Sequence, residues 1–160
     1  MKANMPNYNI LSLQAFFSFL YRAAVNLTAR LLTGSPFSNQ HSPSSLRIWQ
    51  VRIALLLKLK QFTTVETEAA AFGSLENNVD LYYDYYPEQY GARQGSMVPF
   101  GFRVLLAELP LHVGKPLDAM DRLYSLLSLV EKILLQGELF EFTFFKDFRM
   151  YFFMKKRLKK

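Results

Sequence analysis

Apolar residues recur at three- and four-residue intervals through most of the chain, the period of an amphipathic helix. The first run spans about Ile10 to Thr33, with Leu13, Phe16, Phe17, Leu20, Ala24, Leu27 and Leu31 as one stripe. Gly34-Ser35-Pro36 stops it, and a polar loop leads to Pro43. Ser42 suits an N-cap and Pro43 the first helical position, where a missing N–H costs nothing. The second helix places Leu46, Trp49, Ile53, Leu56 and Leu57 on one face. Ile48, Val51 and Leu55 lie elsewhere around its axis, which predicts a helix nearly enclosed by neighbours. A third opens at Thr63, with Glu66 at capping-box spacing, and runs through Ala69-Ala70-Ala71 to Gly73.

Residues 74–96 then form a long connection containing Asp80-Leu81-Tyr82-Tyr83-Asp84-Tyr85-Tyr86-Pro87. A connection of that length in a small domain implies function or an ordered wrap. The fourth helix is expected from Met97 to His112, with Pro99 in its first turn and Pro110 kinking or ending it. The fifth starts near Pro116, with Leu117, Met120, Leu123, Leu127, Val130 and Leu134 as its stripe. From Gly137 the pattern changes. Glu138 to Phe145 alternates like a strand, while Phe145 to Phe153 reads equally as helix. The expected organisation is an N-terminal helix at 1–34, a helix-pair region at 43–136, and a Phe-rich basic tail at 137–160. The tail is expected to be disordered or non-native.

Composition sharpens that division. The chain has 160 residues and a net charge of +6, but Lys155, Lys156, Arg157, Lys159 and Lys160 account for five of those charges. The same tail holds Phe140, Phe142, Phe144, Phe145, Phe148, Phe152 and Phe153, seven of the fifteen phenylalanines. A near-neutral body argues against nucleic acid as the partner. The absence of cysteine excludes disulfides, thiolate metal sites and thiol nucleophiles. His41 and His112 are the only histidines, and no glycine-rich phosphate loop or Ser/His/Asp arrangement is present. Asp80 and Asp84 read as solvated loop carboxylates. No catalytic residue, metal ligand, cofactor or small-molecule substrate is therefore assigned. The most apolar stretch, Asn4 to Tyr21, falls short of a membrane span. A secretory leader is disfavoured because the helical pattern continues past Arg22.

The second and third helices, and the fourth and fifth, read as antiparallel pairs of a degenerate tetratricopeptide-like α-solenoid, an all-α fold. In that register Trp49, Ile53, Leu106, Ala119 and Leu123 form the repeat core. Val65 and Ala119 occupy equivalent small positions but stand 54 residues apart rather than ~34, the surplus being mostly the Tyr-rich loop.

A more specific resemblance rests on whole words of sequence. These are the stretch from Leu20 to Thr33, the stretch from Leu46 to Leu59, the Asp80–Pro87 segment, Arg93-Gln94-Gly95-Ser96-Met97-Val98-Pro99-Phe100, and Arg103 to Leu109. Together, over roughly residues 20–136, they resemble the subunit 12 family of the trafficking protein particle complex. The resemblance implies a tetratricopeptide-containing peripheral subunit of a multisubunit tethering complex, acting between endoplasmic reticulum and Golgi and in autophagy. It implies a non-catalytic scaffold, cytoplasmic and peripheral to those membranes, with the other subunits as partners and membrane contact indirect or weak. A family member is expected to continue into further repeats after the fifth helix, so a truncated product or splice form is expected here. Tyr82, Tyr83, Tyr85, Tyr86 and Tyr90 are the candidate partner-contact residues, weighed against the favoured reading that they pack over the groove between the helix pairs. The alternative function is a membrane-surface adaptor that uses the amphipathic first helix and the basic tail.

Overall fold

The computed structural model describes residues 10–34 and 40–135. The helices are α1 (Ile10–Thr33), α2 (Pro43–Lys58), α3 (Phe62–Ala70), a short α4 (Pro87–Tyr90), α5 (Phe100–His112) and α6 (Pro116–Leu135). Among the described residues, β-structure is limited to an isolated antiparallel bridge between Tyr82 and Ser96. The described residues form an all-α fold. The expected strand or helix at 138–153, and the tail as a whole, lie outside the described residues.

Local chemistry explains most boundaries. At the start of α2 the Ser45 N–H donates to Ser42 Oγ at 3.1 Å and the Ser42 N–H donates to Ser45 Oγ at 2.8 Å. That reciprocal cap, with Pro43 following it, fits the predicted start. The capping box expected at Thr63 does not form, because α3 has already begun at Phe62. Lys60, at φ 58°, turns the chain sharply, and the Gln61 N–H returns to the Leu56 carbonyl at 3.0 Å. Thr63 and Glu66 thus sit inside the helix, and Glu66 pairs instead with Lys115 at 3.4 Å. The fourth predicted helix begins at Phe100 rather than Met97, since Pro99 is extended (ψ 140°) and disfavours helical backbone at Val98, while the Met97 N–H bonds to the Leu81 carbonyl at 2.8 Å.

Pro110 ends α5 as expected. It occupies the last turn, and its carbonyl accepts from Val113 and Lys115 while Gly114, at φ 79°, reverses the chain. A proline N also leaves the carbonyl four residues earlier without its helical donor. That carbonyl, on Leu106, accepts from Arg122 Nη1 of α6 at 3.4 Å.

α1 packs on α2, α2 on α3 and α5, α3 on α5, and α5 on α6. The main core joins Leu46, Ile53 and Leu56 of α2 to Val65 of α3 and to Phe102, Leu106 and Leu109 of α5. Phe72, Leu75, Leu81 and Tyr83 complete it from the connection between α3 and α5. A second cluster joins Phe100, Val104 and Ala107 of α5 to Leu126 and Val130 of α6.

Three burial expectations are corrected. The enclosure expected of α2 is incomplete, since α1, α3 and α5 pack on it and Ile48 and Leu55 are half-buried but Val51 stays exposed. α5, used by both clusters, is the more enclosed helix. The α1 stripe faces solvent at Leu13, Phe16, Phe17, Leu20, Leu27 and Leu31, and the helix meets the body along Val25 and Thr28 instead. On α6 the buried residues are Ala119, Leu126 and Val130, while Leu117 is 74% exposed and Met120 is also exposed. Both outer helices carry a wider apolar face than one neighbour can cover. The Leu134 side chain lies outside the described set.

Candidate functional site

The Tyr-rich connection is built as an ordered wrap. Two short 3₁₀ turns, Val79–Leu81 and Tyr83–Tyr85, precede α4. Asn78 caps the first through its side-chain oxygen, which accepts from the Asp80 N–H at 3.1 Å. The Tyr83 N–H donates to the Gly95 carbonyl at 2.9 Å, and Asp84 Oδ2 accepts from the Gly95 N–H at 2.9 Å. These bonds draw the two ends of the segment together beside α5.

The tyrosines divide by environment. Tyr83 is buried in the main core, where its ring meets Tyr90 edge-on at 5.0 Å and carries the Arg93 guanidinium 4.3 Å above its face. Tyr82 is half-buried and donates its hydroxyl to the Glu76 carbonyl at 3.0 Å. Tyr86 is half-buried against Tyr90, with ring centroids 6.5 Å apart, and its phenol lies near Asp80. Burial pushes the Tyr86 phenol above its ordinary pKa, and the adjacent Asp80 charge adds to the effect. Tyr85 is different, being 60% exposed at the tip of the segment.

Asp80 is thus less isolated than its sequence context implied. Its negative charge also faces His41, whose ring lies 5.4 Å from that of Phe72. Burial lowers the His41 pKa below 6.5, and Asp80 only partly opposes the shift. Phe72 in turn meets Trp49 edge-on at 5.4 Å and Phe102 edge-on at 5.1 Å. Of the remaining repeat-core positions, Ile53 is wholly buried, Leu106 and Ala119 are buried, and Leu123 packs half-buried against the second cluster.

Sequence reasoning missed three arginines that join the elements. Arg52 of α2 grips Glu68 of α3 through both carboxylate oxygens, at 2.8 and 2.6 Å. Its other terminal nitrogen donates to the Val25 carbonyl at 3.0 Å and the Thr28 hydroxyl at 3.4 Å on α1. One planar guanidinium thereby links three helices. Arg103 of α5 does the same for the Tyr segment, donating to Glu76 at 3.0 Å and to Ser96 Oγ at 2.8 Å. Arg122 supplies the carbonyl that Pro110 leaves without a donor. A lone cation within an apolar helical face is the signal that marks Arg52 and Arg103 in the sequence.

Between α3, α5 and α6 runs an open groove of about 1000 Å³, lined among others by Glu66, Ala69, Arg103, Leu106, Asp121 and Arg122. Its charges are mixed. Among the described residues, no three His, Asp or Glu side chains gather in a metal-binding group.

Paired helices, an aromatic segment tied down by arginines and an open groove define an all-α unit whose visible chemistry is that of packing and contact surfaces. The sequence comparisons point the same way. Over 121 residues, 71% of the chain, it is 46% identical to human trafficking protein particle complex subunit 12, and it is also 46% identical to the mouse subunit over 123 residues. The chain is related to that subunit across this region, and it spans about 16% of the human relative's length and 15% of the mouse relative's. No protein-family model and no solved structure matches it.

Proposed function

We propose that the chain is a non-catalytic scaffold unit of a vesicle-tethering complex, acting in endoplasmic reticulum to Golgi traffic through protein–protein contacts. The observation that carries this reading is the 46% identity to a named complex subunit over 71% of the chain. Its partners are then the other subunits of such a complex, and its place is cytoplasmic, peripheral to those membranes. Two successive helix hairpins, α2 with α3 and α5 with α6, support a tetratricopeptide-like solenoid, since α5 lies against the preceding pair. In this reading the contact surface is formed by the exposed Tyr85 with the half-buried Tyr82, Tyr86 and Tyr90, whereas Tyr83, expected to join them, is buried in the main core and holds the segment in place. Tyrosine suits that role, because it buries area while keeping a polar tip.

The test is affinity purification of the tagged chain from cells, with mass spectrometry of what accompanies it. Other tethering-complex subunits are expected in the eluate. Their absence sinks the proposal. Tyr85→Ala should lower their recovery while leaving the melting temperature unchanged, and unchanged recovery removes the loop from the interface.

A further inference from the structure

The exposed side of α1 is the largest feature that neither the core nor the Tyr segment uses. From Ser12 to Leu20 every side chain is exposed, so this half of the helix projects from the body. Phe16 and Phe17, 57% and 50% exposed, share a face with Leu13, Leu20, Leu27 and Leu31, whereas Phe19, 68% exposed, lies on the side of Asn26 and Arg30. The described aromatic contacts of Phe16 and Phe17 are with each other and with Tyr21 of the same helix. A polar row of Arg22, Asn26 and Arg30 recurs every four residues on another face. The helix carries no acidic residue.

These properties select among occupants. A spanning role is excluded by length and hydropathy, because no helix among the described residues is long and apolar enough to cross a membrane. Phe16, Phe17 and the leucines on one face, with a second face charged only by Arg22 and Arg30, describe a helix that lies in a membrane interface. We propose that α1 is an interfacial helix that docks on an anionic lipid surface. Phe16, Phe17 and the leucines enter the acyl boundary, Arg22 and Arg30 face the headgroups, and Val25 and Thr28 remain held by Arg52. This attachment is independent of any contact with other subunits. It does not require the basic tail.

Vesicle flotation of the full chain tests it, comparing phosphatidylcholine vesicles with vesicles that also contain phosphatidylserine. Binding is expected to rise with phosphatidylserine and to weaken with added salt. Phe16→Glu combined with Phe17→Glu should reduce partitioning by about tenfold or more. The melting temperature should not move, because neither ring packs on the body. Flotation that survives the double substitution overturns the proposal, since another segment is then responsible. Failure of the unaltered chain to float overturns it as well. So does a concentration-dependent dimer in sedimentation velocity that the double substitution abolishes, because a second copy would then cover the face.

Discussion

α1 and α5 are both apolar helices, and their fates differ almost completely. In α5, Phe100, Phe102, Val104, Leu106, Ala107, Leu109 and Pro110 are all buried, because α2 and α3 cover one side and α6 the other. In the longer α1, Thr28 is the one buried residue among the described side chains, and it is polar. The hydrophobic effect stabilises only surface that a neighbour removes from water. Apolar sequence therefore yields a core element in α5, which is apolar nearly all round and has neighbours on both sides, and a displayed surface on the amphipathic α1, which does not. α1 is attached over a narrow strip, where Val25 packs on the main core and Arg52 bonds to the Val25 carbonyl and the Thr28 hydroxyl.

Substitutions at the centre should be the most damaging. Phe102→Ala removes a wholly buried ring that packs edge-on against Phe72. It should cost about 3–5 kcal/mol in denaturant unfolding. A loss below that of an exposed α1 phenylalanine would erase the contrast between the helices. Arg52→Ala follows, at about 3 kcal/mol, because Glu68 is left largely buried without its partner. Its distinctive readout is hydrogen exchange, which should quicken in α1 before α5. Arg52→Lys should restore little of the protection, since an ammonium cannot make the two-oxygen grip and also reach α1.

Arg103→Ala should cost less, about 1 kcal/mol, because its partner Glu76 is mostly exposed. Limited proteolysis should then cut within residues 74–96 before it cuts the helices. The smallest effect belongs to His41. Its folded-state pKa is depressed by burial, so the unfolded chain binds more protons as pH falls below 6.5. Stability is full above that value and declines beneath it. His41→Gln should flatten the decline in melting temperature between neutral and mildly acidic pH.

The helices themselves were legible because their signals are local. Ser42 and Pro43 announced α2, Pro110 and Gly114 marked the end of α5, and Pro116 opened α6. Where boundaries moved, backbone conformation next to the helix was responsible, as with the left-handed Lys60 before α3 and the extended Pro99 before α5. The Tyr segment was recognisable as something beyond a linker. Its composition could not separate the buried Tyr83 from the exposed Tyr85, two residues apart. That separation comes from the 3₁₀ turns, which aim one ring into the core and the other outward.

Periodicity, caps and breakers thus sufficed for the all-α class and the order of the helices, because each depends on residues within a turn or two. The choice of which apolar face is covered required the assembled fold, since covering depends on which other helix arrives there. The same holds for the arginines. Arg52 and Arg103 stand out in the sequence only as cations within apolar faces, and with Arg122 they become the ties between elements only when distant carboxylates, hydroxyls and carbonyls are brought within hydrogen-bonding distance.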